Sequence, residues 1–296
     1  MDLAAREVNT LPDSAMPSPS RIALSVAAAT AVAAGFTLAA SRAGRASPRA
    51  QSPSSGYQAP RAHDGHPDLN GTWQAVNTAN WDIQNHPARQ GPVTALGAAF
   101  SIPAGAGVVE GNEIPYQPWA SEKKKQNAEN WLTLDPEIRC YMPGVPRATY
   151  MPHPFQIVQT RNTILMAYEF AGASRIVRMT KTEDAPVDSW MGWSRGRWEG
   201  ETLVVDVTGF NDKTWFDRAG NFHSEALHVV ERYARTGPDH LLYEATIEDP
   251  RVFTRPWKMS MPLYRRKEKN AQLFEYKCVE FVEELMYGHL RKKDSK

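Results

Sequence analysis

Cysteine is scarce in this chain: Cys140 and Cys278 are the only two among 296 residues. No Cys/His cluster with metal-ligand spacing can be built from them. Charge of one sign is lacking too, since 34 Lys and Arg stand against 33 Asp and Glu, a net charge of +1. The basic runs Lys123-Lys124-Lys125 and Arg291-Lys292-Lys293 are short and read as solvated surface, so nucleic acid is not an expected partner. Glycine-rich phosphate loops, long amphipathic helices and fixed-period repeats are absent from the sequence. Ser224 lies in no G-x-S-x-G. Gly192-Trp193-Ser194-Arg195-Gly196 has that spelling, but it falls inside an expected strand rather than at the strand-to-helix turn of a nucleophile elbow, so the α/β type of serine hydrolase has no support. His223 and His228 miss the i, i+4 spacing of a helical zinc motif. Neither a cofactor nor a metal is expected.

One long uncharged run is present, Ile22 to Ala40, preceded by Arg21 and followed by small residues at Ser41-Arg42-Ala43 and Gly44-Arg45-Ala46. That order is the pattern of a secretory signal. Translation from Met16 would leave a conventional short n-region. Against an uncleaved anchor stand the alanine-rich composition and Arg42, Arg45 and Arg49 on the side to be translocated. The expected organisation is a signal peptide over 1–46, a flexible Pro/Ser/Ala-rich linker over 47–66, and a single β-rich domain over 67–296. The expected location is periplasmic or secreted, with no membrane span after cleavage. In an oxidising compartment Cys140 and Cys278 are expected to pair, two separate buried thiols being the alternative. Closing so long a loop stabilises by about 4–5 kcal/mol in a chain-entropy model.

From Phe155 onward, short runs of β-branched and aromatic residues alternate with tight polar links such as Arg161-Asn162 and Glu199-Gly200-Glu201. Regular short strands of this kind predict a mainly β, antiparallel meander. In Leu241–Ile247 the residues Leu241, Tyr243, Ala245 and Ile247 share one face; Trp257, Met259, Met261 and Leu263 do so in theirs. Further strands are expected at Met191–Trp198 and Leu273–Val279. Helix is expected only at Ser121–Asn130 and in a short tail, Glu280 to His289. Residues 74–118 read as an N-terminal arm laid over the domain. Gly71-Thr72-Trp73 resembles the first-strand Gly-x-Trp of calycin and lipocalin barrels, and that resemblance implies a barrel with the tryptophan closing one end.

The densest polar stretch is Thr208 to Arg232, joining two expected strands. Loops at the ends of a β scaffold are where binding and catalytic groups concentrate. A histidine oriented by a carboxylate can move protons near neutral pH, so His223 and Glu225, with Asp217 as orienter, are the candidate catalytic group. Asn211, Asp212, Trp215, His228, Trp193 and Arg147 are candidate substrate-binding residues. Asp217 to Asn221 is equally a good turn sequence, in which polar side chains cap backbone groups. Arg139 and Arg147 bracket a proline-rich segment and could clamp an anion. The tryptophans Trp190, Trp193, Trp198, Trp215 and Trp257 suit either a core or a pocket for a small apolar or aromatic molecule.

The block from Trp198-Glu199-Gly200 through Leu203-Val204-Val205-Asp206 and Gly209-Phe210-Asn211-Asp212, then Thr214-Trp215, Asp217, His223-Ser224-Glu225 and His228 to Tyr233, resembles a large family of exported bacterial β-rich proteins. The likeness extends over residues 67–280. It implies export and a shared role for the polar block, and it brings no reaction with it. After Ser174-Arg175-Ile176-Val177 the chain continues Arg178-Met179-Thr180, where relatives carry an acidic-Gly-Arg turn. Two functions stay open: a cofactor-independent lyase, isomerase or hydrolase acting on a small apolar or aromatic molecule in a barrel pocket, and a non-catalytic carrier or envelope protein.

Overall fold

The β-branched and aromatic runs become nine strands in the computed structural model, which describes residues 56–180 and 183–291. They are β1 (Gly71–Ala75), β2 (Phe155–Gln159), β3 (Thr163–Tyr168), β4 (Ser174–Arg178), β5 (Trp193–Glu199), β6 (Thr202–Thr208), β7 (His228–Gly237), β8 (His240–Glu248) and β9 (Trp257–Arg265). Together they form one closed barrel in chain order, with β1 paired to β9. The signal expected over 1–46 lies outside the described residues.

Alternation sets which side chains fill the barrel. β8 buries Leu241, Tyr243, Ala245 and Ile247, and β9 buries Trp257, Met259, Met261 and Leu263, the faces expected from the sequence. The antiparallel meander has one correction. β4 and β5 run parallel, opposed only at Val177–Ser194 and Arg178–Arg195. Parallel neighbours cannot be joined by a tight turn, and residues 179–192 supply the crossover.

Trp73 does close one end. It is fully buried, its indole Nε1 donates to the Leu69 carbonyl at 2.9 Å, and the Arg265 guanidinium lies 4.7 Å over its ring. The glycine two residues earlier has a physical reason. Gly71 has a φ of +137°, and a Cβ there would stand 3.0 Å from an Arg265 nitrogen. Only glycine accepts both the conformation and the approach.

The middle of the barrel is occupied rather than hollow. Arg175 reaches inward from β4 and donates to both oxygens of Glu231 on β7, at 2.6 and 3.0 Å. Its Nε donates to the Tyr168 hydroxyl at 3.0 Å, while Tyr233 and Tyr243 donate to Glu231 Oε1 at 2.9 and 2.8 Å. All five side chains are buried. A charge in such a place is tolerable only because it is paired and hydrogen-bonded on every side.

Among the described residues four short α-helices decorate the barrel: α1 (Pro118–Glu129), α2 (Trp131–Leu134), α3 (Arg147–Tyr150) and α4 (Val282–Tyr287). The first and last meet the two helical expectations. The strand expected at Leu273–Val279 is not formed; with β1 already on β9, the barrel has no open edge to receive it. This stretch is a tail instead, tied down by the Phe274 amide on Glu169 Oε2 at 2.9 Å and by a disulfide from Cys278 to Cys140, Cα atoms 5.7 Å apart. The arm over 74–118 lies on the barrel as expected, with the Ser260 amide on the Val108 carbonyl at 2.9 Å. The described part of the expected linker is also docked: His66 stacks on Trp198 at 4.7 Å, and Gln159 donates to Asp64. No helix among the described residues is long and apolar enough to cross a membrane.

Candidate functional site

The polar loop between β6 and β7 leaves the barrel at the end opposite Trp73. Its middle is a small hairpin, Trp215 opposed to Phe222, whose Phe216 amide donates to the Asn221 carbonyl at 2.7 Å. Asp217 organises the turn. Its Oδ2 accepts from the Ile83 amide at 2.9 Å and from Asn221 Nδ2 at 2.6 Å, and Oδ1 accepts from the Asn221 amide at 3.2 Å. Burial, with Asp82 nearby, pushes its carboxyl up to about 7. Gly220 completes the turn against α1, where a Cβ would sit 2.6 Å from the Ala128 nitrogen.

His223 has different partners. Nδ1 lies 2.8 Å from the Ser224 carbonyl, which can only accept, so Nδ1 carries the proton. Nε2 then accepts from the Thr214 hydroxyl at 2.6 Å. The ring packs between Phe210 and Phe216, and burial lowers its pKa. It is a neutral imidazole in an apolar setting. Glu225 is exposed and pairs with Arg251. The expected group of His223, Asp217 and Glu225 is therefore not assembled: each hydrogen-bonds elsewhere, and two of the three hold backbone in the way the turn reading anticipated.

The candidate binding residues also separate. Arg147 is the clearest correction, because its guanidinium is consumed inside the protein. It forms a bidentate pair with Asp135 at 2.8 and 2.9 Å, reaches Glu137 at 2.7 Å and donates Nε to Asn80 at 2.8 Å, with 1% exposure. Burial opposes its charge, but Asp135 and Glu137 outweigh that and hold its pKa above the ordinary arginine value. Burial likewise opposes ionisation of Glu137, and Arg218 and Arg147 together hold that carboxyl down at about 2. Arg218 pairs with Glu137 at 2.8 Å while lying 4.5 Å over Trp81 and 5.0 Å over Trp131. His228 stands on the outer wall between Asp206 at 3.1 Å and Glu248 at 3.3 Å. Trp193 lies on that wall too, under the Arg178 guanidinium at 3.5 Å. Asn211 caps its own loop, accepting from the Lys213 amide at 3.1 Å.

Asp212 and Trp215 do come together, in a groove of about 220 Å³ that they share with Leu134, Pro136, Arg139, Tyr141, Trp190 and Lys213. Its floor is held by the charge cluster just described. Asp135 caps the 3-10 turn Pro136–Arg139 by accepting from the Glu137 amide at 2.9 Å, and Arg147 grips that same carboxylate. The turn ends at Cys140, in left-handed backbone with φ 59°, where the disulfide fixes it. Tyr141 then leans on Trp190, ring centroids 4.9 Å apart. Alternation along the loop sends Lys213 and Trp215 to the groove and Thr214 inward to His223.

A second hollow, about 290 Å³, lies on the wall by Arg195, Gly196, Arg197 and Asp206. It has no aromatic surface, and its arginines are paired with Asp184, Asp206 and Glu199. The aromatic groove is the better candidate. No group of His, Cys, Asp and Glu that could hold a metal ion is present among the described residues. No family model matches the chain, and no curated protein is similar enough to lend it an activity. Sequence reasoning found Asp212 and Trp215 through the polar block and missed Leu134, Pro136 and Lys213, which carry no pattern of their own. Arg139 was legible as one half of a possible anion clamp with Arg147, whereas Tyr141 stood only in the proline-rich segment they bracket.

Proposed function

We propose that this protein is a non-catalytic binder of a small apolar or aromatic molecule, held in the groove at the loop end of the barrel. The observation that carries the reading is the groove itself: Trp190, Trp215 and Tyr141 converge on one open hollow beside Arg139 and Lys213. Aromatic walls with a few polar groups are the ordinary make-up of a small-molecule site. The barrel supports it as a scaffold, since Arg175, Glu231 and three tyrosines occupy the interior. Export and kinship with the exported bacterial β-rich proteins belong to the same proposal; the Cys140–Cys278 disulfide supports an oxidising location.

A catalytic reading has one observation in its favour, the Thr214 hydroxyl bonded to His223 Nε2, the relation of a nucleophile to its base. Both side chains are nearly fully buried, and Gly144 packs directly onto Thr214. One experiment separates the readings. A panel of aromatic and terpenoid compounds is titrated against the full chain by tryptophan fluorescence, and each bound compound is then recovered and weighed by mass spectrometry. Saturable quenching that Trp215→Leu weakens about tenfold, with every compound recovered unchanged, is the expected result. Chemical change abolished by Thr214→Val would establish the enzyme instead.

A further inference from the structure

Arginine cannot shed its proton inside a protein, so a covered guanidinium needs an anion or a full set of acceptors. Three largely covered arginines obey this. Arg147 has Asp135 and Glu137, Arg175 has Glu231, and Arg218 has Glu137 and Glu283. Arg139, on the groove, does not. Its Nη2 donates to the Thr133 carbonyl at 3.0 Å and its guanidinium lies 5.8 Å from the Phe281 ring centroid. Among the described residues no carboxylate is within 4.0 Å of it, and its Nε is buried with no hydrogen-bond partner. Its Nη2 side is exposed and it lines the open groove, so an anion from outside the chain can reach it there.

The rest of the lining narrows what that is. Lys213 on the opposite rim is neutralised by Asp212 at 2.6 Å. Arg139 thus supplies the net positive charge of the groove: two bases against one acid among its lining residues. Trp190, Trp215 and Tyr141 supply flat apolar surface within reach of it. We propose that the ligand is a planar aromatic carboxylate, its ring lying against Trp190 and Trp215 and its carboxylate accepting from Arg139. This rests on the groove being the binding site, and it adds that binding is selective for the acid. A guanidinium recognises a carboxylate through directed, charge-assisted hydrogen bonds, which an uncharged isostere of the same shape cannot match.

The test is a matched pair, naphthoate and naphthamide, titrated by calorimetry against the full disulfide-bonded chain. Wild type is expected to bind the acid about tenfold or more tightly than the amide, the ratio a charge-assisted hydrogen bond supplies. That preference should shrink as salt rises. Arg139→Gln should bind both alike, near the affinity of the amide. Equal binding of acid and amide by wild type would overturn the inference and leave the groove as a site for neutral rings. An undiminished preference in Arg139→Gln would overturn it in the same way. Binding of neither compound would remove both the inference and the reading beneath it.

Discussion

Two buried arginines organise this molecule, and they do so differently. Arg175 sits inside the barrel and is matched by one acid, Glu231, with Tyr168, Tyr233 and Tyr243 closing the remaining valences. Every member of that set comes from a strand, so the pair holds one wall of the barrel to another. Arg147 sits under the loops, where Asp135, Glu137, Arg218 and Asn80 join it from separate stretches of irregular chain. Strands are already registered by their ladders, whereas these loops have no ladder and depend on charge for their geometry. The same chemistry therefore specifies a scaffold in one place and a binding surface in the other.

The comparison breaks most sharply when one partner is removed from each pair. Glu231→Ala and Asp135→Ala each leave a covered guanidinium short of its acid, and each should cost about 3–5 kcal/mol, read from chemical denaturation. Their consequences should diverge. Replacing the first pair by apolar residues together, Arg175→Met with Glu231→Leu, should recover most of the stability, because the ladders still fix the barrel. The corresponding Arg147→Met with Asp135→Leu should recover stability but not ligand binding, since Asp135 also caps the turn that carries Arg139. Equal binding by that double variant and wild type would show that the loop cluster does not shape the groove.

Reduction of Cys140–Cys278 is the next expected effect, about 2–4 kcal/mol as disulfides commonly deliver, below the chain-entropy figure for a loop of this length. It should act on the loop end alone. Amide exchange is expected to quicken at residues 138–142 and in the tail from Phe274 to Arg291, while amides in β7 and β8 keep their protection. Faster exchange in β7 and β8 as well would mean that the two ends are one cooperative unit.

What the sequence made legible follows the range of the interactions. Alternation is local, and so β8 and β9 could be assigned face by face. The Gly71–Trp73 pattern was readable because one arginine, Arg265, imposes it. The polar block misled for the opposite reason. His223, Asp217 and Glu225 are neighbours in sequence, but Asp217 answers to the Ile83 amide, 134 positions away, and His223 to Thr214. Likewise the groove is assembled from residues 134–141, 190 and 212–215, which no spacing rule connects. The parallel β4–β5 junction was hidden because two opposed residues leave no mark on composition.

The smallest expected effect is on pH dependence, where two groups of the polar loop work against each other. Asp217 has a folded pKa raised from 3.8 to about 7, so the fold favours its protonated form. Its contribution is complete below pH 3.8 and is lost as pH rises towards 7. His223 has a folded pKa lowered from 6.5, so the fold favours its neutral form. That contribution is complete above pH 6.5 and is lost as pH falls below it. Between about pH 5 and 6.5 the two slopes oppose, and wild-type stability should change little. Asp217→Asn removes the first and leaves stability rising with pH through 6.5. His223→Gln removes the second and leaves stability falling over the same interval. Denaturation midpoints at pH 5 and pH 7 in the three proteins give the sign of each slope. Parallel pH profiles in all three would mean that neither side chain is held in the protonation state its surroundings impose.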